Sequence, residues 1–332
     1  MAVSIEDIKK LRAMTGAGLA DVKKALTEAE GDFDKAKDLL RERGLAIAAK
    51  RSDRVTSNGC VLVKNVDGFA ASIALKCETD FVANGADFIK LTSDILDAAI
   101  AAKAHTLDEV KTLTLADGQE VQAAVTQRSG ITGEKMELDG YCVLEGENIS
   151  VYDHMNKHTL ATMVQLTQEN EEVGHKLAMQ VAAMKPIALD ETCVPQEVKD
   201  KEFQVAVEKT KEEQIEKAVE AALKKAGLNP NHFDSDDHIE SNIGKGWITR
   251  EEADKGIAIR KEVAAEKAAN LNENMIQNIA KGRLNKFLKE SCLVDQEFQF
   301  GDDNKQNVAD YLKKQDKDLK IVAYTRFTLV AD

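Results

Sequence analysis

The dipeptide Asp67-Gly68 constrains this chain more than any other pair of residues. It separates two apolar runs, Cys60-Val61-Leu62-Val63-Lys64-Asn65-Val66 and Phe69-Ala70-Ala71-Ser72-Ile73-Ala74-Leu75. A two-residue loop of this composition favours a type I′ turn, whose twist matches that of the flanking strands. An antiparallel hairpin is therefore predicted. In its second strand Phe69, Ala71, Ile73, Leu75 and Cys77 alternate onto one face. A helix over about residues 86–103 follows, with Phe88, Leu91, Ile95, Leu96, Ala99 and Ile100 spaced to cover that face.

The strand–strand–helix order recurs. Residues 147–151 and 159–166 read as a second strand pair, joined by the longer turn Asp153-His154-Met155-Asn156-Lys157-His158. A helix with Val173, Leu177, Val181 and Met184 then runs to Lys185-Pro186. Setting Ala71-Ser72-Ile73-Ala74 against Ala161-Thr162-Met163-Val164 relates the blocks at an offset of 90 residues. The identity is low, and the repeat rests on the order of elements. Between strand and helix the first block has Thr79-Asp80-Phe81-Val82, where the second has Glu169-Asn170-Glu171-Glu172. The fold therefore has no need of a phenylalanine at this junction.

Helical segments flank the two blocks. In residues 1–52, Ser4 and Asp7 cap a first helix whose stripe Ile5, Ile8, Leu11 ends near Thr15-Gly16. A second helix carries Val22, Ala25, Leu26 and Ala29 and stops at Gly31. A third starts around Asp32 or Asp34, carries Ala36, Leu39 and Leu40, and is expected to end at Gly44. So small a unit is marginal alone and suits recognition better than catalysis. Residues 45–58 read as a linker with some helical character.

From about 197 to 290 the chain is rich in Lys, Glu and Ala, with a break over 227–246 and a capping box at Thr249 and Glu252. One arm carries Val198, Phe203, Ile215, Val219 and Leu223; the other carries Val263, Met275, Ile276 and Ile279. So narrow a stripe on long antiparallel arms predicts a projecting helical hairpin that pairs with something. Strand character returns in Glu297-Phe298-Gln299-Phe300 and again over 321–327, which is expected to complete the second block's sheet. The expected fold is α+β. Its expected domains are a three-helix unit at 1–52, core subdomains at 53–140 and at 141–196 with 287–332, and a helical insertion at 197–286.

Composition narrows the function. The 332 residues carry a net charge of −13, and no Lys/Arg cluster offsets it. That disfavours nucleic acid as a partner, because phosphate contacts dominate such affinity. No apolar stretch reaches membrane-spanning length, and the first residues lack the pattern of a signal peptide. The five cysteines have no CxxC spacing and read as reduced thiols on packed faces, so a cytoplasmic location is expected.

Catalytic and metal motifs are thin. Gly16-Ala17-Gly18 lacks the strand and the Lys-Ser/Thr of a phosphate loop, and reads as a turn between helices. His154 and His158 are four apart but sit in a turn, with no third ligand in sight. Residues 234–237 lack the glycine and the terminal glutamate of a calcium loop. No cofactor or metal is expected. His175 reads as a helix-face residue, with a partner contact as the alternative. At the Thr79-Asp80-Phe81-Val82 junction two readings stay open. Phe81 folds back on its own core while Asp80 caps the next helix, or Phe81 is displayed for a partner's pocket.

Several blocks together resemble the bacterial elongation factor Ts family. They are Leu11-Arg12-Ala13-Met14-Thr15-Gly16-Ala17-Gly18-Leu19-Ala20-Asp21-Val22, Cys77-Glu78-Thr79-Asp80-Phe81-Val82-Ala83, His175-Lys176-Leu177-Ala178-Met179-Gln180-Val181, and Gly282-Arg283-Leu284-Asn285-Lys286-Phe287. The resemblance covers nearly the whole chain and implies a ubiquitin-associated-like N-terminal domain. It implies guanine-nucleotide exchange on elongation factor Tu (EF-Tu) without covalent catalysis. Asp80 and Phe81, flanked by Thr79 and Val82, would wedge near the magnesium side of that protein's nucleotide site. His154 would approach the same domain, and Leu11, Gly18, Leu19 and Ala20 would dock on another of its faces. Some members have methionines where this chain has Leu19 and Ala20. Residues 205–260 look inserted, and with the sequence stopping soon after Phe327, a trailing helical module found in some members is expected to be absent. The insertion could serve a homodimer. An adaptor working through residues 1–52 alone is the competing binding reading, and an enzyme would need a polar pocket for which no residue set stands out.

Overall fold

The computed structural model describes residues 3–51, 53–301 and 305–329. The chain forms two compact units, one made of Met1–Leu189 with Glu297–Asp332 and one of Asp190–Gln296. Both helix and sheet are present, the strands antiparallel, as in an α+β protein.

The first unit opens with α1 (Ile5–Thr15), α2 (Leu19–Glu28) and α3 (Phe33–Ala49). Ser4 caps α1 by accepting the Asp7 N–H, and Gly16 closes it in the left-handed region. Ile8, Leu11, Val22, Ala25, Leu26 and Ala36 form the bundle's core. The expected stop at Gly44 does not occur, and α3 runs on to Ala49. Gly44 is used for close approach instead. It faces Gly130 on a later helix so tightly that a Cβ on Gly130 would lie 2.4 Å from the Gly44 Cα.

Next come β1 (Asn58–Val66) and β2 (Phe69–Cys77), paired in the register Val66↔Phe69. Asp67 and Gly68 have φ of 50° and 80°, both positive as the type I′ turn demands. The chain continues through α4 (Asp80–Ala83), α5 (Ala86–Ala101), α6 (Leu107–Lys111) and α7 (Val121–Thr132) to β3 (Glu137–Glu145). Neither α6, α7 nor β3 was expected from the sequence. β3 pairs with β2, so β2 becomes the middle strand.

A second sheet follows. β4 (Ile149–Asp153) and β5 (Leu160–Leu166) pair across the expected long turn, and α8 (Glu171–Met184) covers them. In chain order the second unit then supplies α9 (Gln196–Lys225), α10 (Asp236–Gly244), α11 (Arg250–Ala269) and α12 (Glu273–Ser291). The chain returns to the first unit with α13 (Val308–Gln315) and β6 (Ile321–Thr328), and β6 completes the sheet on β5. The other expected tail strand is not formed. Of residues 297–300 only Glu297 makes a bridge, to Asn307, while Phe298 is buried against Tyr311 of α13 at 4.1 Å between ring centroids.

The layers are helix, sheet, sheet, helix, and β2 shows why. Phe69, Ala71, Ile73, Leu75 and Cys77 enter the core beneath α5, with Phe88, Ile95 and Leu96. Its other face is small: Ala74 meets Val61 and Ala161, and Ala70 meets Ile149 and Met163, at the contact between sheets. On the far side Thr162 donates to the Ala178 carbonyl of α8 at 2.8 Å, satisfying a buried hydroxyl.

In the second unit α11 and α12 both pack along α9. The sequence suggested one long second arm; the structure breaks it into two helices. Asn270 caps the end of α11, and the Asn272 side chain accepts the Met275 N–H to start α12. Asparagine favours such caps because its short side chain competes for backbone hydrogen bonds. Arg283 bonds both Glu213 carboxylate oxygens, at 2.7 and 2.8 Å.

The glycine contact has asymmetric consequences. Gly130→Ala must push backbone against backbone, and should destabilise by about 1–3 kcal/mol. A Cβ on Gly44 would meet the Gly130 Cα at an ordinary 3.7 Å. Gly44→Ala should therefore be neutral or gain up to about 1 kcal/mol of helix propensity. Denaturant titration of both variants checks the contrast, and equal losses would contradict it. The cysteines give a second expectation. All five are free, yet only Cys193 is exposed, and burial pushes the Cys60 and Cys77 thiols up to about 12. A thiol reagent at neutral pH should titrate Cys193 rapidly in the native protein and the other four only after denaturation.

Candidate functional site

The site begins where β2 ends. β2 and β3 pair Lys76 with Glu137. Continuing that antiparallel register two steps faces Glu78 with Lys135, and three steps faces Thr79 with Glu134. The side chains complete what the strands have left off. The Lys135 N–H donates to Glu78 Oε1 at 2.6 Å. In return Glu134 Oε2 accepts the Glu78 and Thr79 N–H groups at 3.1 and 3.0 Å, and its Oε1 accepts the Thr79 hydroxyl at 2.6 Å. The Glu78 carboxyl is held below the usual carboxylate range, chiefly by the Lys135 N–H and then by the Arg54 guanidinium at 2.9 Å.

Thr79 Oγ1 also accepts the Val82 N–H, so Thr79, not Asp80, is the cap of α4. Asp80 is the first residue of that turn, and the Asn84 side chain holds its carbonyl at 2.9 Å. No hydrogen bond or ion pair engages the Asp80 carboxylate among the described residues. Of the two readings left open for Phe81, the structure excludes the one in which the ring folds back on its own core. Phe81 is 86% exposed, while Phe88, one helix later, is fully buried. Val82 is half-buried against the sheet core. In the second block Asn170 caps α8 directly, with no intervening turn.

His154 lies half-buried in the turn between β4 and β5. Its Nδ1 is 3.3 Å from the Tyr152 hydroxyl. The Tyr152 ring stands edge-on to both His154 and His175, with centroids at 5.8 and 5.4 Å. His175 is exposed on α8. Met155, Asn156 and His158 have φ of 55°, 53° and 55°, a strained run for residues other than glycine. His158 does not join His154. Its ring bonds the Asp153 carboxylate, and its carbonyl accepts the Val61 N–H at 2.6 Å. No group of three or more His, Cys, Asp or Glu could hold a metal among the described residues.

These two turns share an anchor. Asn58, at the start of β1, donates its side-chain amide to the Glu78 carbonyl at 2.9 Å, and Val61 holds the histidine turn. The anchors are three residues apart, about 10 Å along a strand. The helical contact surface is tied in differently. A Cβ on Gly16 would lie 3.7 Å from Ile131 Cδ1 near the end of α7, whose next turn leads to Glu134. Gly18 and Ala20 are exposed, and so is Leu19, at 58%. Leu11 is fully buried in the bundle core and cannot be a contact residue. Its helical spacing serves packing, and the exposed large apolar residues of α1 are Ile5 and Met14.

Glu134 and Tyr152 were missed from the sequence. Finding Glu134 requires the β2–β3 register, and β3 carried no recognised strand signal. Tyr152 adjoins the singled-out turn, but its stacking on His175 joins residues from different elements.

The family model described as Elongation factor TS matches residues 78–229 and 216–331. Over the full length of both chains, this chain is 62% identical to the elongation factor Ts of Bacteroides fragilis. The corresponding identities are 59% for that of Parabacteroides distasonis and 39% for that of Porphyromonas gingivalis, each across the whole of both chains. With the exposed Phe81 on its capped turn standing in the region the family model covers, the chain belongs to the elongation factor Ts family.

Proposed function

We propose that this chain binds the GDP form of the translational GTPase EF-Tu and accelerates GDP release. The observation that carries the reading is the exposed Phe81 on a turn tied down by hydrogen bonds. In this reading Phe81 enters a pocket on the GTPase, and burying the ring contributes roughly 1.5–3 kcal/mol. The unpaired Asp80 carboxylate arrives beside it on the magnesium side of the nucleotide site. A negative charge there competes for the groups that hold the phosphates and the metal. His154 approaches the same domain from the neighbouring turn, and Gly18, Leu19 and Ala20 dock on another face.

The linkage is reciprocal. A factor that lowers GDP affinity is itself bound less well by the GDP form, by the same ratio. Exchange then needs no covalent step. The interaction favours the nucleotide-free complex, and GTP refills the site by mass action.

Release of fluorescent GDP from EF-Tu is the test. The intact chain should accelerate it, and Phe81→Ala should slow the accelerated rate about tenfold, since each tenfold is about 1.4 kcal/mol and the ring supplies more than that. Asp80→Ala should slow it less, by a few-fold. If the intact chain leaves release unchanged, the exchange reading is wrong. If release is accelerated but Phe81→Ala matches wild type, affinity residing in 1–52 alone becomes the better account.

A further inference from the structure

We propose that Glu134 is a positioning residue for exchange, holding the Thr79-Asp80-Phe81 turn in the shape that presents Phe81. The inference rests on the exchange reading above. Phe81 has almost no packing of its own, at 86% exposure, so its position depends on the backbone that carries it. That backbone is a four-residue turn, α4, too short to hold itself. A carboxylate is an acceptor only, and Glu134 takes three donors from Glu78 and Thr79, the two residues that lead into the turn. Such charge-assisted bonds are the stronger kind.

Glu134 is itself fixed on both sides. The Ser129 hydroxyl donates to its carbonyl at 2.6 Å, and its N–H donates to Thr132 Oγ1 at 3.3 Å. Both partners lie on α7, which the Gly44–Gly130 contact seats against α3. The carboxylate therefore transmits the placement of a rigid helix to the start of a turn whose only core contacts, Val82 and Ala83, lie beyond Phe81. Glu78 completes a reciprocal pair by accepting the Lys135 N–H.

The experiment uses the full chain and fluorescent-GDP release from EF-Tu over a range of factor concentrations. Glu134→Ala should lower the maximal rate about tenfold while moving the half-saturating concentration by less than about twofold. A role confined to stability would instead leave the maximal rate of the folded fraction untouched. Glu134→Gln should recover most of the rate. Its amide oxygen still accepts the two N–H groups, and its NH2 can donate to the Thr79 hydroxyl. In a Phe81→Ala background, Glu134→Ala should add nothing, because both changes remove the same contact.

A wild-type maximal rate for Glu134→Ala, or its full effect persisting on top of Phe81→Ala, overturns the inference while the exchange reading stands. A wild-type rate for Phe81→Ala removes the wedge and this inference together. Should Glu134→Ala not fold, Glu134→Met keeps the side-chain length and removes both acceptor oxygens while leaving the Thr79 cap intact, and a slowed maximal rate is again the expected result.

Discussion

Burial of β2 on both faces is the constraint on which the rest of the first unit depends. Large side chains on alternate positions fill the space under α5, while Ala70 and Ala74 on the opposite face admit the second sheet. A strand buried on both faces cannot slip by one residue, because the slip would drive Phe69 and Ile73 into the contact sized for alanine. A bulge at Ala74/Leu75 shifts the pairing with β3 by one residue, and the register beyond it, continued past the strand, sets Thr79 opposite Glu134 and Glu78 opposite Lys135.

The proposed contact surface follows from this arrangement. Val82 and Ala83 seat the far end of the Phe81 turn on the sheet core, and hydrogen bonds from the strand ends and from the end of α7 hold its start. The turn containing His154 is fastened to the same strand, β1, and carries three left-handed residues, Met155, Asn156 and His158. The α1–α2 turn leans on Ile131 of α7, one helical turn before Glu134. Each surface that would meet the GTPase is thus a loop held by a rigid element, which suits recognition by a shape formed in advance.

The hairpin, the caps at Ser4 and Thr249, and the core face of β2 were legible because each signal is local. Asp-Gly dictates a backbone conformation, a capping side chain reaches its own helix, and alternation reports one buried face. Gly44 misled because glycine carries two meanings: it ends helices, and it lets helices touch. Only the presence of Gly130 opposite distinguishes them. Leu11 misled for a related reason, since its place in a family block says nothing about whether it faces partner or core. α7 and β3 gave little pattern because their burial comes from neighbours distant in sequence, α3 and β2.

The sequence by itself determined that a strand ends at Cys77 and that an acid–phenylalanine pair follows it. It also determined, through the second block, that the fold can do without that pair. Whether Phe81 was core or surface could not be read there, because one aromatic at a junction satisfies either. The tertiary structure decided it. Phe88 and its neighbours already fill the space beneath α5, and Glu134, brought across by the β2–β3 register, holds the turn so that Phe81 points to solvent.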